Sequence, residues 1–135
     1  MENAAGKTIV IVDDSTSIRR EVKAILEKEL FIVREAGSGF GLFSIVDEYG
    51  ALADLILMDL SLNEEDGFEL VSKLRNLDRF KNIPVIMLTT HADKDNVLMA
   101  KMLGVQGYII KPIDPRLLVE RVNKVLEASR ELLSS

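Results

Sequence analysis

The sequence predicts a doubly wound α/β domain, a five-stranded parallel sheet with helices on both faces. Three observations carry that prediction. Apolar, β-branched runs around Ile9–Val12, Leu55–Met58 and Val85–Leu88 have no polar side, as in strands buried on both faces. Segments with apolar residues at helical spacing lie between them. The connections are short, with no linker and no repeat, so strand and helix simply alternate.

Met1 to Gly6 is small and polar and reads as a loose terminus. Lys7–Val12 is the first strand and ends on Asp13-Asp14. From Ser15 the period changes: Ile18, Val22, Ile25 and Leu26 form the buried side of a helix, with Arg19, Arg20, Lys23 and Glu27 opposite. Phe31–Glu35 is a second, shorter strand, broken by Gly37-Ser38-Gly39. Phe40, Phe43 and Val46 open a second helical pattern that stops at Gly50. Asp54–Asp59 is the third strand, again ending on a carboxylate, followed by the polar loop Ser61–Gly67. Glu64, Glu65 and Asp66 there read as a solvated turn before a helix, where acids face the positive end of the helix dipole.

Leu70, Val71, Leu74 and Leu77 mark the third helix, and Asn82-Ile83-Pro84 turns the chain into a fourth strand, Val85–Thr90. A fourth helix runs from about Asp93 to Leu103, with Gly104 as its C-terminal cap. Gly107–Ile110 is the fifth strand and closes on Lys111-Pro112. Asp114-Pro115 pairs an N-cap acid with proline at the first helical position, and Leu118, Val122, Val125 and Leu126 are the buried stripe of the last helix. Val119, Leu126 and Leu133 recur at sevens. Ordinary packing with a frayed end accounts for that spacing; a dimer contact or the start of a linker is the alternative.

The expected strand order is 2-1-3-4-5 with right-handed crossovers. The 135 residues suit one domain, with a core over residues 7–126 and 127–135 as a helix end or linker start. A net charge of −5 argues against direct nucleic-acid binding. No apolar stretch is long enough to span a bilayer and no secretory signal follows Met1, which favours the cytoplasm. The absence of cysteine excludes disulfides and thiolate metal sites.

The order 2-1-3-4-5 puts the first and third strands side by side, so Asp13, Asp14 and Asp59 converge on the crevice at the strand ends. Three carboxylates there repel one another unless a cation or a proton intervenes. Oxygen-only ligands with room for water suit Mg²⁺, or Mn²⁺ in its place. Thr89 and Lys111 end the fourth and fifth strands on the same edge. Metal, lysine and hydroxyl around a carboxylate form a site for a phosphoryl group, with Asp59 as the natural nucleophile.

The ordered set Asp13-Asp14, Asp59, Asp66-Gly67, Thr89, Tyr108 and Lys111-Pro112 resembles the receiver domain of two-component response regulators, from about Lys7 to Leu126. The resemblance implies a flavodoxin-like fold and a phosphorylation-controlled switch. Asp59 would accept a phosphoryl group from a histidine kinase or histidine phosphotransfer protein. Asp14, Asp59 and the Ser61 backbone carbonyl would hold Mg²⁺ directly, and Asp13 mainly through water. Lys111 would contact the phosphoryl oxygens, Thr89 would swing toward them, and Tyr108 would turn inward. Lys111-Pro112 is similar to the family's cis peptide. Phosphorylation would remodel the face built from the fourth helix, fifth strand and fifth helix, toward an output domain, a target protein or a phosphorylation-dependent homodimer.

The chain departs from the family pattern in places. Asn63 stands where proline is usual, which predicts a looser loop around an intact site. Thr90 stands where a smaller residue is usual and would narrow access to Asp59. Ser61 and His91 occupy the two positions that in this family tune how fast the acyl phosphate hydrolyses. Taken singly, these residues have plainer readings. Asp13-Asp14 could cap the first helix, Lys111 could be a solvated lysine, Thr89 a strand residue, Tyr108 a packed aromatic and His91 an exposed loop residue.

Other functions fit less well. An aspartate-dependent phosphohydrolase needs a second acid two residues after its nucleophile, where this chain has Ser61, so phosphorylation and dephosphorylation of the chain itself is the only turnover expected. A flavin-binding protein would want a hydroxyl- and glycine-rich phosphate loop where Asp13-Asp14 stands. A phosphorylation-independent adaptor would not need the complete acidic set.

Overall fold

The computed structural model describes residues 5–49 and 53–134. The expected stop at Gly50 and the terminus through Ala4 lie outside the described residues, as does the side chain of Leu133. Along the chain run β1 (Thr8–Val12), α1 (Thr16–Glu27), β2 (Ile32–Ala36), α2 (Gly39–Tyr49), β3 (Leu55–Met58), α3 (Gly67–Arg75), β4 (Val85–Thr89), α4 (Lys94–Met102), β5 (Gly107–Ile110) and α5 (Pro115–Ser134). The five strands form one parallel sheet in the order β2-β1-β3-β4-β5, as expected.

Alternate residues of each central strand enter different cores. Val10, Val12, Ile56, Met58, Val85 and Met87 pack with Leu42 of α2, Leu70, Val71 and Leu74 of α3, and Ala100 of α4. Ile9, Ile11, Leu55, Leu57, Ile86 and Leu88 pack with Val22 and Leu26 of α1 and with Leu118, Val122 and Leu126 of α5. Each fully buried Val, Leu or Ile side chain contributes about 1.5–3 kcal/mol, so the two layers pin strand order and register together. A shift of one residue would exchange the two faces of a strand.

The helix ends follow local chemistry. Ser15 and Asp93 cap α1 and α4 by accepting the backbone N–H of the third residue on, and Asp66 caps α3 by accepting from Phe68. Asp114 accepts from Arg116 and Leu117 at the start of α5, and Gly104 takes the left-handed conformation (φ +73°) just past α4.

Four details differ from the sequence expectations. The segment Ser61–Asp66 is not all loop: Ser61–Leu62 and Glu65–Asp66 pair as a two-residue antiparallel hairpin around Asn63-Glu64, anchored by buried Leu62. Glu65 is not merely solvated, since its carboxylate accepts the Gly39 backbone N–H at 2.9 Å and ties the hairpin to the start of α2. Leu77 lies beyond α3 and is 41% exposed. Phe80 and Ile83 fill the core there instead, with the Phe80 ring edge-on to Phe43 at 5.4 Å. Arg19 does not sit on the solvent side of α1; it turns back under the β1–α1 loop and β2.

Candidate functional site

The parallel ladders carry the site residues to one edge. Val12 pairs with Met58, and one step on the Asp59 backbone N–H donates to the Val12 carbonyl, so Asp13 and Asp59 leave the sheet side by side. On the other flank Thr89 pairs with Ile110, and the Lys111 N–H donates to the Thr89 carbonyl. The peptide between Lys111 and Pro112 is cis. Gly67 closes the floor: a Cβ there would overlap the Asp59 carbonyl oxygen, so only glycine lets α3 start this close to the site.

Among the described residues the buried polar side chains are Asp13, Asp59 and Thr89, with Asp13 and Thr89 fully enclosed. Lys111 Nζ reaches Asp13 Oδ2 at 2.7 Å and Asp59 Oδ2 at 3.3 Å. The other Asp13 oxygen accepts the Ser15 N–H at 2.9 Å, so Asp13 holds the turn into α1 and faces the crevice at once. Asp59 Oδ1 accepts the Ser61 N–H at 3.3 Å. Asp14 is half-buried, and one carboxylate oxygen from each of Asp13, Asp14 and Asp59 lies within 4.8 Å of the others. Burial lowers the pKa of Lys111, but the hydrogen bond and charge of Asp13, and then those of Asp59, outweigh it and raise the pKa above its usual value.

Three carboxylates face one ammonium, so negative charge remains at the base of the crevice. The donors are oxygen only and close enough together for a single small divalent cation, the set that Mg²⁺ or Mn²⁺ takes. A second group of contacts forms the rim. Ser61 Oγ and His91 Nε2 are 2.9 Å apart, so the two side chains meet beside Asp59. The His91 N–H donates to Thr89 Oγ1 at 3.3 Å, and the Tyr108 hydroxyl donates to the His91 carbonyl at 2.6 Å. Tyr108 packs half-buried against the core while its hydroxyl reaches the rim. Thr90 is exposed just past β4.

The structure therefore brings Asp13, Asp14, Asp59, Thr89 and Lys111 to one crevice and Ser61, His91 and Tyr108 to its rim. Sequence reasoning missed Arg19, whose Nη1 donates to the Asp13 carbonyl at 2.7 Å. No periodicity marks it, because its neighbours Arg20 and Lys23 lie on the polar side of the same helix.

A doubly wound sheet with an acidic crevice and a lysine at its switch point defines a class of phosphoryl-accepting modules. Comparison with known proteins makes the class specific: the chain belongs to the response regulator receiver domain family, whose model matches residues 9–123. Chemotaxis protein CheY1 of Helicobacter pylori is 37% identical over 119 residues, which are 87% of this chain and 95% of that protein. Chemotaxis protein CheY4 of Vibrio cholerae has a TM-score of 0.82 at 30% identity, covering 90% of this chain and 99% of that one. The Mn²⁺-bound form of response regulator Rcp1 has a TM-score of 0.73 at 28% identity, covering 88% of this chain and 91% of that one. Receiver domains are phosphorylation-controlled signalling modules of two-component systems and bind Mg²⁺ or Mn²⁺ at an acidic pocket. Among the described residues no helix is long and apolar enough to cross a membrane.

Proposed function

We propose that Asp59 is the phosphoacceptor of a signalling switch, charged by a histidine kinase or a histidine phosphotransfer protein. The observation that carries this reading is the buried Asp59 carboxylate held 3.3 Å from Lys111 beside two further acids. An Asp59 oxygen attacks phosphorus, the P–N bond of the phosphohistidine breaks, and the imidazole nitrogen keeps that electron pair. Lys111 stays within reach of the phosphoryl oxygens, and the Thr89 hydroxyl supplies a hydrogen bond to them. Asp14, Asp59 and the Ser61 carbonyl would hold Mg²⁺ or Mn²⁺, with Asp13 acting through water. A bound cation neutralises charge on the transferring oxygens.

The same rim links modification to output. Thr89 Oγ1 holds the His91 N–H, and Tyr108 holds the His91 carbonyl. A Thr89 hydroxyl drawn to a phosphoryl group loosens that hold and shifts the face of α4, β5 and α5 toward its partner-binding form. With Ser61 where a phosphohydrolase needs a second acid, the chain turns over only its own acyl phosphate. The hydrogen-bonded Ser61 and His91 side chains govern the lifetime of that phosphate. His91→Ala should change the rate of phosphate loss several-fold, and an unchanged rate would remove this role.

The deciding experiment incubates the chain with Mg²⁺ and acetyl phosphate and measures intact mass. One phosphoryl group gained by the wild type and none by Asp59→Asn is the expected result. No gain by the wild type would point to the phosphorylation-independent adaptor, and a gain kept in Asp59→Asn would move the acceptor elsewhere.

A further inference from the structure

We propose that Arg19 is a positioning residue for the cation site: it fixes the peptide unit joining Asp13 to Asp14, and Glu35 fixes Arg19. The inference rests on the reading of Asp13, Asp14 and Asp59 as the cation-binding set. Every nitrogen of the Arg19 guanidinium is used. Nη1 donates to the Asp13 carbonyl at 2.7 Å, Nη2 to Thr16 Oγ1 at 3.2 Å, and Nε to Glu35 Oε1 at 3.2 Å. The side chain is 17% exposed, low for an arginine on a surface helix.

The Asp13 carbonyl belongs to the planar unit that also carries the Asp14 N–H. The Cα atoms that carry both acidic side chains are its two ends, so holding that oxygen restrains the positions from which they leave the backbone. Asp13 has further anchors, since its N–H donates to the Ala36 carbonyl and its carboxylate meets Ser15 and Lys111. The Asp14 carboxylate has no hydrogen bond or ion pair among the described residues. With no side-chain partner to correct it, its placement depends on the backbone it springs from, and Arg19 is the side chain that holds that backbone.

Arg19 also carries a positive charge, which by itself opposes cation binding. Glu35 offsets it across the ion pair and approaches Lys23 at 3.9 Å on its other oxygen. Position and charge thus predict opposite signs on removal of Arg19: weaker cation binding if it positions the acids, tighter binding if only its charge is felt. Groups that orient metal ligands from behind typically matter by roughly 10–100-fold in affinity.

The test is calorimetric titration of the unphosphorylated chain with Mn²⁺, beside a thermal melt without metal. Arg19→Met should raise the Mn²⁺ dissociation constant about tenfold, at the low end of that range. Arg19→Lys, which keeps the charge and one donor, should recover part of the loss. Arg20→Met removes a charge from an exposed neighbour on the same helix and should leave Mn²⁺ binding no weaker. Glu35→Ala, which frees Arg19 but also removes a negative charge, should weaken binding by a smaller factor. Arg19→Gln, neutral like Arg19→Met but with an amide donor, serves as the readout with the same expected sign should Arg19→Met fail to fold. Unchanged or tighter binding in Arg19→Met, Arg19→Gln or Glu35→Ala, against a wild type that binds Mn²⁺, overturns the positioning role alone. A wild type that binds no Mn²⁺ overturns the cation-site reading and this inference with it.

Discussion

At the carboxyl ends of the strands Lys111 is held by two carboxylates, whereas at the amino ends Arg75 is held by neutral oxygens alone. Arg75, at the end of α3, donates to the carbonyls of Lys81, Ile83 and Gly104 and to the Gln106 side chain, which in turn accepts the Val85 N–H. The two cations shift in opposite directions. Burial without a countercharge lowers the pKa of Arg75, while Asp13 and Asp59 outweigh burial and raise that of Lys111. The amino pole is thus a closed hydrogen-bond network that needs nothing further. The carboxyl pole has more acid than base, an imbalance that a bound cation would offset. One sheet carries a clamp at one end and a receptor at the other.

That contrast can be broken experimentally. The largest effect is expected from Lys111→Met, which leaves Asp13 and Asp59 facing each other without their ammonium. Removing one partner of such a group costs ~3 kcal/mol, and Mn²⁺ should restore most of it by binding only the folded chain. Urea melts with and without Mn²⁺ check this, and an equal loss in both would mean the pole needs no cation. Arg75→Met should cost about 2 kcal/mol, the scale of hydrogen bonds to a charged group, because it strands the part-buried Ile83 carbonyl. Its Mn²⁺ affinity should match that of the wild type, and a changed affinity would show the poles to be coupled.

The smallest effect falls on the rim. Tyr108→Phe removes the bond to the His91 carbonyl and should cost ~1 kcal/mol at neutral pH. Burial first, and the Asp93 carboxylate second, raise the Tyr108 hydroxyl above its usual pKa. A raised pKa means that the folded state keeps its proton longer, so this contribution is complete below about pH 10 and fades as pH rises through the shifted value. The stability gap between wild type and Tyr108→Phe should therefore narrow in melts taken above pH 10, and a gap that widens would contradict the bond's dependence on the phenolic proton.

Much of this was legible in the residues. The runs ending on Asp13, Asp59 and Thr89 announce doubly buried strands, since no periodicity of two survives when both faces are covered. Asp93, Asp114-Pro115 and Gly104 mark helix ends because capping is local chemistry. Leu77 was misread because its helical spacing continues the stripe of α3, while Asn76 ends the helix and Phe80 takes the place in the core. Arg19 was misread because helical periodicity sorts residues into two sides and cannot show that a long polar side chain bends back beneath a loop.

Sequence alone determined where the five strands of the main sheet lie, which acids end two of them, and where Ser15, Asp93, Gly104 and Asp114 bound their helices, because burial and capping are written in spacings of a few residues. Only the tertiary structure decided who meets whom. Lys111 lies 98 positions from Asp13, Ser61 lies 30 from His91, and Glu65 lies 26 from Gly39. Those pairings follow from strand order and register, which two packed cores impose on the sheet as a whole and no short stretch of chain encodes.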